Sequence, residues 1–90
     1  MRCSIYMLAA QPITVEMPDG QTVTVKQLFA SPGTGSLLGQ PDQTLLEAAD
    51  ARGGIEELGE IRVNAAPASL STELKTGDSV LLIPRVEGGC

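Results

Sequence analysis

Ninety residues suffice for one modest hydrophobic core and leave no room for a second domain of ordinary size. An apolar fraction of 42% with a mean hydropathy of +0.10 excludes an intrinsically disordered chain, which would carry fewer Ile, Leu and Val and more charge. A net charge of -5, with the six basic residues Arg2, Lys26, Arg52, Arg62, Lys75 and Arg85 scattered along the chain, excludes the clustered cations of a nucleic-acid binder, and two aromatic residues, Tyr6 and Phe29, argue against stacking on bases.

In chain order, Cys3 to Ala9 alternates loosely and predicts a short strand. Its apolar run is too short for a secretory signal, no other run approaches a membrane span, and the expected location is cytoplasmic, with no membrane partner. Ile13, Val15 and Met17 share one face, Pro18-Asp19-Gly20-Gln21 is turn chemistry, and Val23 and Val25 return on the same face, which predicts a β-hairpin. The segment 31–42, with Pro32-Gly33-Thr34-Gly35 and then Leu37-Leu38-Gly39-Gln40-Pro41, predicts an inserted, mobile loop whose deletion spares the fold. Thr44 with Glu47 is a capping box and opens a helix from Leu45 to Arg52, ended by Gly53-Gly54.

Glu60 to Asn64 alternates as a strand, Ala65-Ala66-Pro67 predicts a turn, and Leu70 to Leu74 an irregular crossing. After the turn Thr76-Gly77-Asp78, a last strand runs from Ser79 to Val86, and its continuously apolar Val80-Leu81-Leu82-Ile83 suits a central position. Leu45, Ala49, Val63, Val80 and Leu82 are the expected buried set. The order is strand, hairpin, helix, strand, strand: an α+β chain with one main helix across one face of a mixed sheet. The expected organisation is one domain, with a core of about 13–86, a flexible tail 87–90, and an N-terminal strand added at a sheet edge, where its unpaired backbone could recruit another copy of the chain.

Ile61-Arg62-Val63-Asn64, then Leu74, then Thr76-Gly77-Asp78, the strand, Pro84 and Gly88-Gly89 closely resemble the end of the sulfur-carrier proteins of thiamine and molybdopterin biosynthesis and of ubiquitin-like modifiers. The resemblance covers the last third of the chain and implies the ubiquitin-like β-grasp fold. It also implies that Gly89, reached through Gly88, is adenylated by an enzyme of the ubiquitin-activating type, which uses the ATP; the chain itself binds no cofactor and is not an enzyme. Gln43 to Gly53 is similar to the helix of plant-type ferredoxins, another β-grasp family, but the cluster cysteines of that family are missing. Two cysteines and no histidine do not make a usual metal site.

Glycine suits such a tail because a main chain without Cβ passes a narrow adenylation channel. Pro84 removes a ladder donor and is expected to end pairing near Arg85. Arg85, Val86 and Glu87 are the candidate recognition residues of the tail. Cys90 departs from the pattern, since Gly89 is not last. Cys90 is trimmed by a processing peptidase, is an engineered handle, or is a reactive thiol, and trimming is the favoured reading. A trimmed Gly89 is expected to serve a ubiquitin-like modifier, passed on by a conjugating enzyme to target proteins; the alternative is a sulfur carrier charged by a sulfurtransferase as a Gly89 thiocarboxylate.

Overall fold

A computed structural model describes residues 1–8 and 10–84. Strand β1 (Arg2–Met7) buries Cys3 and Ile5 and turns Arg2 and Tyr6 outward, the period of two that its alternation predicts. It pairs antiparallel with β2 (Ile13–Glu16), from Arg2 opposite Glu16 to Ile5 opposite Ile13. Met17 N–H extends the ladder by donating to Met1 O at 2.7 Å.

The hairpin therefore forms one element earlier than the sequence predicts. Strand β3 (Val23–Thr24) leaves the sheet and pairs with β6 (Glu73–Leu74), Val23 opposite Leu74. The reason is local. Thr24 caps helix α1 (Val25–Phe29) in a full capping box with Gln27, so Val25 begins a helix instead of continuing a strand. Val25, Leu28 and Phe29, at helical spacing, are all fully buried.

The segment 31–42, expected as an inserted loop, packs into the core. It contains a 3-10 helix, Thr34–Leu38, whose Leu37 and Leu38 join the core. The Thr34 hydroxyl is fully buried. It lies 2.7 Å from Ser31 O and 3.1 Å from Phe29 O, and it accepts the N–H of Leu45 at 2.8 Å. Gly35 stands so close to the next turn that a Cβ there would lie 2.5 Å from Gln40 O and 2.6 Å from Gln43 O. Packing here demands those residues, so deleting the segment would remove part of the core.

Helix α2 (Leu45–Asp50) starts at the expected capping box of Thr44 and Glu47 and buries Leu45, Ala48 and Ala49. Its six residues do not make one main helix; α1, the 3-10 turn, α2 and a further short helix α3 (Ile55–Leu58) supply the helical residues of the core together. Strand β4 (Gly59–Val63) follows, then a turn at Asn64-Ala65 and the strand β5 (Ala66–Ala68), where the sequence predicts only a turn. Strand β7 (Ser79–Pro84) closes the fold.

The main sheet has the order β2-β1-β7-β4-β5, with β1 parallel to β7 and the other pairs antiparallel. This makes the chain an α+β protein with a mixed five-stranded sheet. Strand β1 is thus interior, with β2 on one side and β7 on the other, and not an added edge strand. The core takes in Cys3 and Ile5, ahead of the expected start at 13, and self-association through an exposed edge of β1 is excluded by that pairing. Of the expected buried set, Leu45, Ala49, Val80 and Leu82 are buried and Val63 is half-buried against the cluster. Among the described residues, no helix is long and apolar enough to cross a membrane, and no buried side-chain nitrogen or oxygen lacks a hydrogen-bond partner.

Candidate functional site

The chemistry expected from the sequence converges on the end of β7. Of its residues, Pro84 is described, as the last residue of β7; Arg85, Val86, Glu87, Gly88, Gly89 and Cys90 lie outside the described residues, as does Ala9. The framework that aims β7 is built from two turns. The Asp78 carboxylate accepts the N–H of Lys75 at 2.7 Å and the side-chain amide of Asn64 at 2.9 Å. Asn64 in turn accepts the N–H of Ser79 through Oδ1 at 3.0 Å and donates its own N–H to Ser79 O at 2.9 Å. Gly77 N–H donates to Arg2 O at 2.8 Å and Ser4 N–H to Asp78 O at 3.2 Å. The Gly-Asp pair that carries the sequence resemblance therefore ties the start of β7 to β1 and to the β4–β5 turn.

Beyond that turn β7 runs between β1 and β4 to its last described pairing, Pro84 opposite Gly59. The backbones are close there: a Cβ on Gly59 would lie 2.8 Å from the carbonyl carbon of Ile83 and 2.9 Å from Pro84 Cα. Gly59 has an extended backbone, so proximity and not φ requires the glycine. β1 pairs with β7 as far as Leu82 and β4 as far as Pro84, so the last two described residues of the strand are held on the β4 side.

The apolar run of β7 divides by face. Val80 and Leu82 enter the core, whereas Leu81 is half-buried and Ile83 is 39% exposed on the outer face. Tyr6, 40% exposed, sits opposite Leu81 in the β1–β7 register, and Leu8 just beyond β1 is 83% exposed. Together with Met7 and Leu82 they line a depression of ≈ 290 Å³. Glu60 and Arg62 form an ion pair on neighbouring β4, with Arg62 opposite Leu81. Sequence reasoning did not single out Tyr6 or Leu8. The signal was present in the alternation of β1, which sends Tyr6 to the face opposite Cys3 and Ile5.

Cys3 is a free, buried thiol that lies 3.6 Å from Lys75 O. Burial, with the Asp78 carboxylate adding to it, pushes its pKa up, so the thiol stays protonated and is a poor nucleophile. Among the described residues, no three His, Cys, Asp or Glu stand where they could share a metal ion. The chain matches no family model, no curated protein and no solved structure.

Proposed function

We propose that this chain has the ubiquitin-like β-grasp fold and works as a protein modifier, exposed at Gly89 by removal of Cys90, adenylated by a ubiquitin-activating-type enzyme and joined to target proteins. The strand order supports the fold: an N-terminal antiparallel hairpin, a parallel pairing of the first and last strands at the sheet centre, and helical residues packed over one face. The observation that carries the functional reading is the setting of β7. It is paired with β1 through Leu82 and with β4 through Pro84, its first turn is locked through Asp78, and beside its final residues lies an apolar face of exposed Tyr6, Leu8 and Ile83 with half-buried Leu81. An apolar patch beside the end of β7 is a suitable surface for an enzyme that handles the residues following it in the chain.

In this reading the Gly89 carboxylate attacks the α-phosphate of ATP bound to the partner. The bond to the β-phosphate breaks and pyrophosphate leaves. The acyl-adenylate then reacts with an acceptor amine or hydroxyl, AMP departs, and the new bond is an amide or an ester. All catalytic groups belong to the partner. The chain supplies a rigid base, a docking face and the electrophile. The second reading, a sulfur carrier, is favoured by the Gly77-Asp78 turn leading into a strand that ends with Pro84, the pattern that sulfur-carrier proteins share. There hydrosulfide takes the place of the amine, or a persulfide does and a second thiol then cleaves the S–S bond as a disulfide forms; AMP departs, and Gly89 ends as a thiocarboxylate.

Pyrophosphate exchange with the cognate activating enzyme tests both. A chain ending at Gly89 should support exchange, a chain retaining Cys90 should not until the cysteine is removed, and Gly89→Ala should impair exchange with little effect on unfolding. Mass spectrometry of the protein from its native cell then separates the readings: attachment to other proteins supports the modifier, and replacement of a terminal oxygen by sulfur supports the carrier. If the chain ending at Gly89 supports no exchange, both fail.

A further inference from the structure

A groove lies between the α2–α3 corner and the β4–β5 edge of the sheet. It consists of two adjoining depressions of ≈ 450 and ≈ 370 Å³ that share Glu56 and Leu70. Its apolar lining comes from Leu46, Ile55 and Leu70 in the larger part and from Ile61 and Ala68 in the smaller. Leu46 and Leu70 are only half-buried, so they leave apolar surface facing the groove. The rim is acidic. Asp50, Glu56 and Glu57 are exposed around the larger depression; among the described residues they form no ion pair, and Lys26 is the one cation lining either depression.

We propose that this groove docks a basic, partly apolar polypeptide segment of a partner protein. Lysine or arginine stems fit the surface of Leu46 and Leu70 while their heads reach the rim carboxylates, the way long cationic side chains divide between apolar and polar ground. Charge decides against other occupants. A second copy of this chain carries the same net charge of -5 and is repelled, as is a nucleic acid. A strand added to the β5 edge is disfavoured because Pro67, at the middle of β5, has no N–H to pair. The smaller depression ends at Gly59 and Glu60, and Gly59 pairs with Pro84. A segment bound in the groove therefore lies next to the strand that leads into the tail. The inference stands independently of what chemistry the tail undergoes.

The test uses the whole chain, labelled with nitrogen-15, and a fluorescein-tagged heptapeptide of alternating lysine and leucine as the probe. Amide shift changes are expected around Asp50, Glu56, Glu57 and Leu70. Affinity should fall about tenfold in the triple variant Asp50→Asn, Glu56→Gln, Glu57→Gln, and should fall likewise as salt rises, because rim charges steer association and are screened. Lys26→Ala should tighten binding, which keeps the proposal testable even if the triple variant folds poorly. Any of the following would overturn it: shifts centred on Tyr6 and Ile83, equal binding of the matching glutamate-leucine peptide, affinity unchanged by both sets of substitutions, or self-association in sedimentation that the triple variant abolishes.

Discussion

The side-chain amide of Asn64 donates to the carboxylate of Asp78 across 2.9 Å, joining the β4–β5 turn to the turn that starts β7. The two residues are fourteen apart in the chain, yet each completes the other's turn. Asp78 also caps Lys75 N–H, and Asn64 also caps Ser79 N–H, so neither side chain is spare. Asp78→Ala should therefore lower stability by about 1–2 kcal/mol, the net worth of charge-assisted bonds at a partly exposed site. Asp78→Asn, which keeps an acceptor, should lose less. Urea unfolding measures both, and a midpoint unchanged in Asp78→Ala would mean that the backbone bonds of Gly77 and Ser4 hold this turn unaided.

Ala65, the other residue of the β4–β5 turn, has φ of 73°, in the left-handed region where a Cβ is strained. Asn64 before it, at φ 50°, is a residue type that tolerates this region. Ala65→Gly makes an Asn-Gly turn and should raise stability by about 0.5–1 kcal/mol, the relief of strain exceeding the extra freedom of glycine in the unfolded chain. A fall in the thermal midpoint would contradict this.

Thr34→Val keeps the shape of a fully buried side chain and removes its hydroxyl. Leu45 N–H then loses its acceptor at the first residue of α2, and Ser31 O loses a donor. The expected cost is about 2–4 kcal/mol. Thr34→Ser, which keeps the hydroxyl and loses a methyl group, should cost about 1 kcal/mol. Equal midpoints for Thr34→Val and the parent would return the segment 31–42 to the status of a dispensable loop.

Stability should decline on the alkaline side. The Met1 ammonium donates to Asp19 at 2.5 Å, and that bond raises its pKa above the ordinary 8.0. Burial raises the Cys3 thiol above its ordinary 9.0. Both pKa values are higher folded than unfolded, so both contributions are complete below the unfolded values and are lost as pH rises through the folded ones. Denaturation midpoints should be level from these groups below about pH 7 and fall above about pH 8. Asp19→Asn should flatten the first part of the decline and Cys3→Ala the second; a slope unchanged in both variants would show that other groups cause it.

Helix α2 was legible from sequence because its signal is local: Thr44 and Glu47 satisfy each other's backbone donors within one turn, whatever the rest of the chain does. The same holds for β7, where an apolar run after Gly77-Asp78 needs little context to read as an interior strand. The α1 signal was equally local, Thr24 with Gln27, and was overridden by the more conspicuous alternation of Val23 and Val25.

What tertiary structure alone decided was partnership. Period two in β1, in β2 and around Val23 tells which side chains share a face, but three such stretches can pair in several ways, each with the same alternation. The choice of β1 for β2, and of β6 for β3, follows from seating β1 beside β7 and from α1 drawing Val25 out of strand geometry. The role of 31–42 was hidden for a related reason. Glycine and proline report that a chain turns, while burial of Leu37, Leu38 and the Thr34 hydroxyl depends on Phe29, Ser31 and Leu45 arriving around them from the two flanking helices and their link.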